Sequence, residues 1–316
     1  MKVTSLPELP VRPRGEAGPR KVAIGTFDGV HLGHREVIRG SDTVLTFDPH
    51  PVAVTHPDAL PKLLTTFAIK RDLIAGLGVD ELVVIPFDEE FASRSAEQFV
   101  EDVLIGQLGA ERVSVGENFR FGRKAKGTPM FLAAREEFET RVVALVEAAG
   151  ESVSSTQIRG LIAAGEVEQA SRFLGGPFLL EGEVVAGDRR GRELGMPTAN
   201  IVPDDRLVVP GHGVYAAWAH GYPAAVNVGV RPTFETGRGL LVESHLIDFE
   251  GDLYGQTMRV AFVERMRGER RFDSVGELVE QMWRDVEQAR EICRSSAGAQ
   301  AGRWPAEHRL SSRFCC

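Results

Sequence analysis

Cysteine is nearly missing from this chain of 316 residues: three occur, Cys293, Cys315 and Cys316, all close to the C-terminus. The long stretch before them holds no disulfide framework and no Cys-x-x-Cys metal site, which fits a reducing cytoplasm. An excess of positive charge is lacking too. With 37 Lys and Arg against 45 Asp and Glu, the formal net charge is −8. That balance offers no broad basic field, so neither nucleic acid nor a membrane is an expected partner, and only local basic pockets are left open. No uninterrupted apolar run approaches the ~20 residues that span a bilayer. The first 20 residues, MKVTSLPELPVRPRGEAGPR, contain no apolar stretch of signal-peptide length and read as a flexible lead-in. A phosphate loop of the G-x-x-x-x-G-K-[ST] type does not occur. What remains, 43% hydrophobic and 26% charged residues, is the composition of a soluble globular protein long enough for two domains.

From Lys21 to about Gly175, short β-branched runs (KVAIGTF, TVLTFDPHP, DELVVIPFD, ERVSVGENF, RVVALVEAA) alternate with helical patterns. The alternation predicts an α/β domain over 21–175, Rossmann-like, with a parallel sheet between helices. TFAIKRDLIAGLG and SAEQFVEDVLIGQLG have apolar residues three and four apart and close on glycine, as helices do. Phe99, Val103 and Leu104 form a core stripe. Gly175, Gly176 and Pro177 break the pattern. Over 176–295 the chain reads as an antiparallel barrel (FLLEGEVVAGD, GVYAAWAHG, YPAAVNVG, LLVESHLIDF, TMRVAFVERM) followed by an amphipathic helix from 274 to 294. Val279, Met282, Val286 and Ala289 share one face of that helix, and Glu280 precedes Arg284 by four. Residues 296–316 lack periodicity and are expected to be disordered.

GTFDGVHLGH (25–34) interrupts this regularity. It sits between a strand and a helix, so Gly25 and Gly29 stand where backbone approaches a ligand closely, and His31 and His34, three apart, share a face of the first helical turn. Unpaired N–H groups and two imidazoles at a helix start suit phosphate, and the stretch, Phe27 included, reads as a phosphate cradle. Two histidines alone would more often be a turn residue and a core histidine. A zinc site is not expected, because no Cys or Glu partner has metal-ligand spacing.

Strand, glycine turn and H-x-G-H together resemble the signature of nucleotidyltransferases that transfer AMP. TFDPHP (46–51), GENFRFG (116–122) and SSTQIR (154–159) each follow a predicted strand and should meet at the carboxyl ends of the sheet. In this order they resemble the FMN adenylyltransferase module of the prokaryotic bifunctional riboflavin kinase/FAD synthetases. GRELGMPTANI (191–201) and VESHLIDFEGDLYG (242–255) are similar to that family's kinase motifs.

The resemblance implies two activities, riboflavin to FMN and FMN to FAD, with ATP as donor in both and Mg²⁺ as cofactor. It assigns Thr198 and Asn200 to the metal, Glu243 to the catalytic base, and Gly187, Gly191 and Gly195 to a loop that closes on phosphates. In the adenylyltransferase it assigns His31, His34 and Arg159 to catalysis at the triphosphate, Ser155 and Thr156 to phosphate, and Asn118, Phe119 and Phe121 to flavin. Asp28 either binds magnesium or fixes the turn, and both stay open, as does a core role for the two phenylalanines. The family's longer helix and loop after H-x-G-H are shorter here by two to three turns, which would leave the sheet less covered. A nucleotide-binding protein that has lost catalysis through that shortening, and an adenylyltransferase with an unrelated β-domain, are the competing readings. A homo-oligomer is left open.

Overall fold

A strand covered on both faces has no polar side, and the runs VAI, VLTF and LVVI have almost none. In the computed structural model, which describes residues 1–9, 19–148, 150–186, 195–230 and 240–300, these runs lie in one parallel sheet. Its strands are β1 (Lys2–Ser5), β2 (Arg20–Ile24), β3 (Thr43–Asp48), β4 (Glu81–Pro86), β5 (Ala110–Gly116) and β6 (Glu139–Val143), in spatial order β1-β4-β3-β2-β5-β6. Successive residues alternate between two cores. Val22, Ile24, Leu45 and Val83 face one cluster, with Phe99, Val103 and Leu104. Ala23, Val44 and Leu82 face the other, with Val37, Ile38 and Ile74.

Three expectations need correction in this unit. The lead-in is ordered at its start, because Lys2–Ser5 pairs in parallel with β4 and Thr4 donates to the Glu81 carboxylate at 2.6 Å. The segment after the Ser95 capping box begins as α-helix (Ala96–Gln98) and continues as π-helix (Phe99–Gln107), a winding in which Phe99 and Leu104, five apart, come onto one side. RVVALVEAA is not one strand: after β6 ends at Val143, β7 (Glu147–Ala148) pairs instead with β8 (Glu151–Ser152). The shortened helix Leu32–Ile38 still covers its part of the sheet, because Val37 and Ile38 are buried beside Ala23 and Val44.

By contacts the chain forms two compact units. One comprises Met1–Pro61 and Phe67–Ser154; the other comprises Lys62–Thr66 and the chain from Ser155 onward. In the second, helices Ser155–Ala164 and Val167–Leu174 precede a closed barrel in the order β10-β13-β12-β11-β14-β9. Its strands are β9 (Phe178–Val185), β10 (Ala199–Pro203), β11 (Gly213–Ala219), β12 (Tyr222–Val230), β13 (Leu240–Leu246) and β14 (Thr257–Arg267), all antiparallel. Leu63 forms a parallel bridge with Leu207, and its N–H donates to Arg206 at 2.7 Å. Thr66 donates to the buried Glu181 carboxylate, whose other oxygen accepts from Arg259 Nε at 2.6 Å.

The helix Val275–Gln300 runs beyond its expected end, into residues read as disordered tail. It buries Val286, Ala289 and Cys293, while Val279 and Met282 are only half-buried. Arg267 clamps the helix through Asp285, with Nη2 2.7 Å from Oδ2, and Gln281 donates to the same carboxylate. Fully satisfied in this way, the buried charges avoid the penalty of a lone one.

Candidate active sites

β2 and β5 are neighbours in the sheet, yet the chain runs from β2 to β3 and β4 on one side and from β5 to β6 on the other. Such a reversal opens a crevice at the carboxyl ends of the two strands, where open α/β sheets bind ligands. GTFDGVHLGH follows β2, TFDPHP closes β3 and GENFRFG follows β5. The fourth stretch behaves otherwise. SSTQIR comes after the β7–β8 hairpin and opens the helix Ser155–Ala164, which groups with the second unit; there Ser155 and Arg159 are half-buried and Thr156 is exposed.

The turn after β2 is held in an uncommon shape. Phe27, Gly29 and Val30 have φ of 51°, 89° and 42°. Left-handed conformations at two non-glycine residues cost ~1–3 kcal/mol each, and burial of both side chains, Phe27 at 1% and Val30 at 0% exposure, keeps them there. The Phe27 ring is therefore interior packing, and what this residue presents toward a ligand is main chain. A Cβ on Gly25 would meet that ring at 2.9 Å. Asp28 is buried at the same turn.

His31 caps the helix Leu32–Ile38: its Nδ1 accepts the His34 N–H at 3.3 Å. An accepting nitrogen carries no proton, so Nε2 of neutral His31 bears the donor hydrogen. The two imidazoles stack at 3.6 Å and 16°, and Phe27 meets His34 edge-on at 5.4 Å. The two histidines thus lie together as a stacked pair.

Lys70, which the sequence reading passed over, ties the turn after β2 to the end of β3. Its Nζ lies 3.3 Å from the Thr26 carbonyl, 3.4 Å from that of Phe47 and 3.5 Å from Thr46 Oγ1. Burial lowers the Lys70 pKa below its usual value, and the charges of Asp48 and Asp28 oppose that shift. On the β5 side, Asn118 is exposed in the turn, and the Phe119 ring stacks on Phe121 at 5.5 Å. Phe121, at 7% exposure, packs against Phe99 and Phe131. Its ring belongs to the core rather than to a flavin pocket, leaving Asn118 and the half-buried Phe119 on the loop surface.

In the barrel two of the predicted residues, Asn200 and Glu243, stand on strands. Asn200 on β10 pairs directly with Glu243 on β13, and Glu243 pairs directly with Asn227 on β12. Directly opposed residues share a face at Cβ separations of about 4.5–5.5 Å. Their strand neighbours Ile201, Val242 and Val228 are fully buried, so the polar row occupies the outer face. Glu243 and Asn227 are half-buried. Asn200 is 5% exposed, and its Oδ1 has no hydrogen-bond partner among the described residues. Asn227 was legible only as a polar residue between two buried valines. Thr198 is half-buried, Gly195 has φ 78° in the turn before it, and Gly187 and Gly191 lie outside the described residues. Among the described residues no group of three or more His, Cys, Asp or Glu could hold a metal.

Comparison with known proteins covers both parts of the chain. The FAD synthetase family model matches residues 15–157 and the riboflavin kinase model residues 174–293. The bifunctional riboflavin kinase/FMN adenylyltransferase of Listeria monocytogenes is 36% identical over 286 residues, covering 85% of this chain and 91% of that one. Its Escherichia coli counterpart is 37% identical over 289 residues, covering 86% and 92%. Among solved structures, one described as a macrolide-efflux protein from Streptococcus pneumoniae superposes with a TM-score of 0.79 at 32% identity, over 92% of this chain and 99% of that one. Among the described residues no helix is long and apolar enough to cross a membrane. With both modules matched and relatives aligned over most of their length, the chain belongs to the bifunctional riboflavin kinase/FMN adenylyltransferases, which make FMN from riboflavin and FAD from FMN.

Proposed function

We propose that the two reactions are divided between two sites: riboflavin phosphorylation at the outer face of β10, β13 and β12, within 176–295, and adenylyl transfer at the strand ends of the α/β domain, within 21–175. The observation that carries the division is the register that sets Asn200 beside Glu243 although 43 residues separate them.

In phosphorylation the ribityl 5′-hydroxyl of riboflavin attacks the γ-phosphorus of ATP, and ADP leaves. The Glu243 carboxylate orients that hydroxyl and takes its proton. A buried amide oxygen without a hydrogen-bond partner among the described residues, as at Asn200, is a hard ligand of the kind Mg²⁺ prefers, so the residues fit that ion. Thr198 and Asn200 would hold it, and it would neutralise phosphate charge during transfer. Gly195, with φ 78°, supplies the left-handed residue of the turn before Thr198.

In adenylylation the FMN phosphate attacks the α-phosphorus of a second ATP, and pyrophosphate leaves. The substrate is the nucleophile, so the protein's part is to hold charge and geometry. The stacked His31 and His34 bind the triphosphate, Nε2–H of His31 donating; Gly25, Asp28 and Gly29 shape the turn that receives it, and Asn118 and Phe119 meet the flavin. Ser155, Thr156 and Arg159 are proposed as phosphate ligands on the resemblance of SSTQIR alone. We place the enzyme in the cytoplasm, acting on small molecules without nucleic acid.

The test is to supply riboflavin and FMN separately, each with ATP and Mg²⁺, and resolve the flavins chromatographically. His31→Ala is expected to abolish FAD formation and spare FMN formation, and Glu243→Ala to do the reverse. Loss of both activities in both variants would overturn the division.

A further inference from the structure

β13 carries a second side chain on the face that bears Glu243. His245 lies two residues on, half-buried, and its Nδ1 is 2.9 Å from the carbonyl oxygen of Pro197. A carbonyl only accepts, so Nδ1 bears the hydrogen and donates it. Pro197 immediately precedes Thr198, and Thr198 is a place where β-structure gives little support. The pairing of β10 with β13 begins at Ala199, opposite Ser244, and its pairing with β9 begins at Asn200, opposite Val185. Thr198 therefore stands one residue ahead of the backbone ladder. On its N-terminal side two anchors hold the chain: Met196, buried at 1% exposure, and the Pro197 carbonyl, gripped by His245. Asp248, a carboxylate near this imidazole, is engaged elsewhere, in a two-pronged ion pair with Arg290.

We propose that His245 is a positioning residue for riboflavin phosphorylation. Its Nδ1–H fixes the Pro197 carbonyl, and through it the Thr198 hydroxyl ahead of the strand that carries Asn200, without touching substrate. The inference rests on the reading of Thr198, Asn200 and Glu243 as the kinase site.

The experiment uses the full chain with His245→Ala, His245→Asn and His245→Gln, measuring FMN formation against Mg²⁺ concentration, FAD formation from FMN, and the thermal midpoint. Asparagine sets an amide donor near the place of Nδ1; glutamine carries its donor farther out, near Nε2. His245→Ala is expected to raise the Mg²⁺ needed for half-maximal phosphorylation roughly fivefold, the loss of one hydrogen bond. FAD formation and the midpoint should hold, His245→Asn should restore the normal Mg²⁺ requirement, and His245→Gln should not. An unchanged Mg²⁺ requirement in His245→Ala overturns the proposal. So does equal impairment of the Asn and Gln variants, or a fall of both activities together with the midpoint. Thr198→Ala and Glu243→Ala run alongside. If they leave phosphorylation intact, the site reading itself fails; if they abolish it while His245→Ala keeps the wild-type Mg²⁺ requirement, this inference alone fails.

Discussion

In the α/β unit the proposed site residues follow strands, whereas in the barrel Asn200 and Glu243 stand on them. The first site depends on loops that leave a parallel sheet at its carboxyl edge, and its shape is held by buried anchors: the Phe27 and Val30 side chains under a left-handed turn, and Lys70 between the Thr26 and Phe47 carbonyls. The second depends on register, because Asn200, Glu243 and Asn227 become neighbours only while β10, β13 and β12 stay in step. Loop sites fail through their anchors and register sites through their ladders. That contrast can be attacked at either end.

The largest effect is expected at Gly182 on β9. A Cβ there would clash with the Val202 carbonyl oxygen, a backbone atom that cannot swing aside. Gly182→Val should displace β10, two residues from Asn200, at or beyond the upper end of the ~1–3 kcal/mol that overpacking costs. FMN formation should fall by more than about tenfold, equivalent to ~1.4 kcal/mol of barrier, and thermal unfolding monitored by circular dichroism should move down. A stable variant with full kinase activity would show that register is not what builds that site.

Lys70→Met probes the anchor of the other site and should separate activity from stability. Removing the ammonium releases the Thr26 and Phe47 carbonyls, so FAD formation should drop roughly tenfold, in line with the loss of charged hydrogen bonds. The thermal midpoint should stay or rise, because replacing a buried charge by an apolar side chain is often neutral or stabilising. The pH dependence has a definite sign. Burial lowers the folded-state pKa beneath the unfolded value of 10.5, so between the two the unfolded chain binds more protons and wild-type stability rises with pH. Urea unfolding at pH 7 and pH 10 should show the wild type gaining on the Met variant.

The smallest effect belongs to Asp204, in the connection after β10. Hydrogen bonds from Arg206 lower its pKa from 3.8 to about 2. A depressed carboxylate stabilises above its unfolded pKa and loses that contribution as pH falls through the folded one. Asp204→Asn should therefore lower the urea midpoint slightly at pH 6, by an exposed pair's worth of ~0–1 kcal/mol, and the gap should narrow from pH 4 toward pH 2.

Much of this architecture was readable in advance for a physical reason: strands buried on both faces are apolar throughout, and barrel strands with one outer face, such as β13, alternate. Both patterns are local, as are H-x-G-H and P-T-A-N. What escaped was non-local. The strand Lys2–Ser5 is four residues long amid proline-rich sequence and acquires its identity only by pairing with β4. The spacing of Phe99 and Leu104 belongs to a π-helix, a winding rare enough that the α-period was assumed. Phe121 reads equally as pocket or core until Phe99 and Phe131 surround it. Lys70, Asn227 and His245 each depend on a partner at least 16 residues away (Phe47, Glu243 and Pro197).

The five residues Lys62–Thr66 bear on how such an enzyme can be taken apart. They are encoded within the first half, yet Leu63 lies along Leu207, and Thr66 completes the polar shell of Glu181 beside Arg259. A gene severed near codon 155 would strand this clip on the wrong fragment and leave the barrel with a buried glutamate short of a donor. The two catalysts are stitched rather than merely joined end to end, so recombination between them at a single crossover yields no clean exchange.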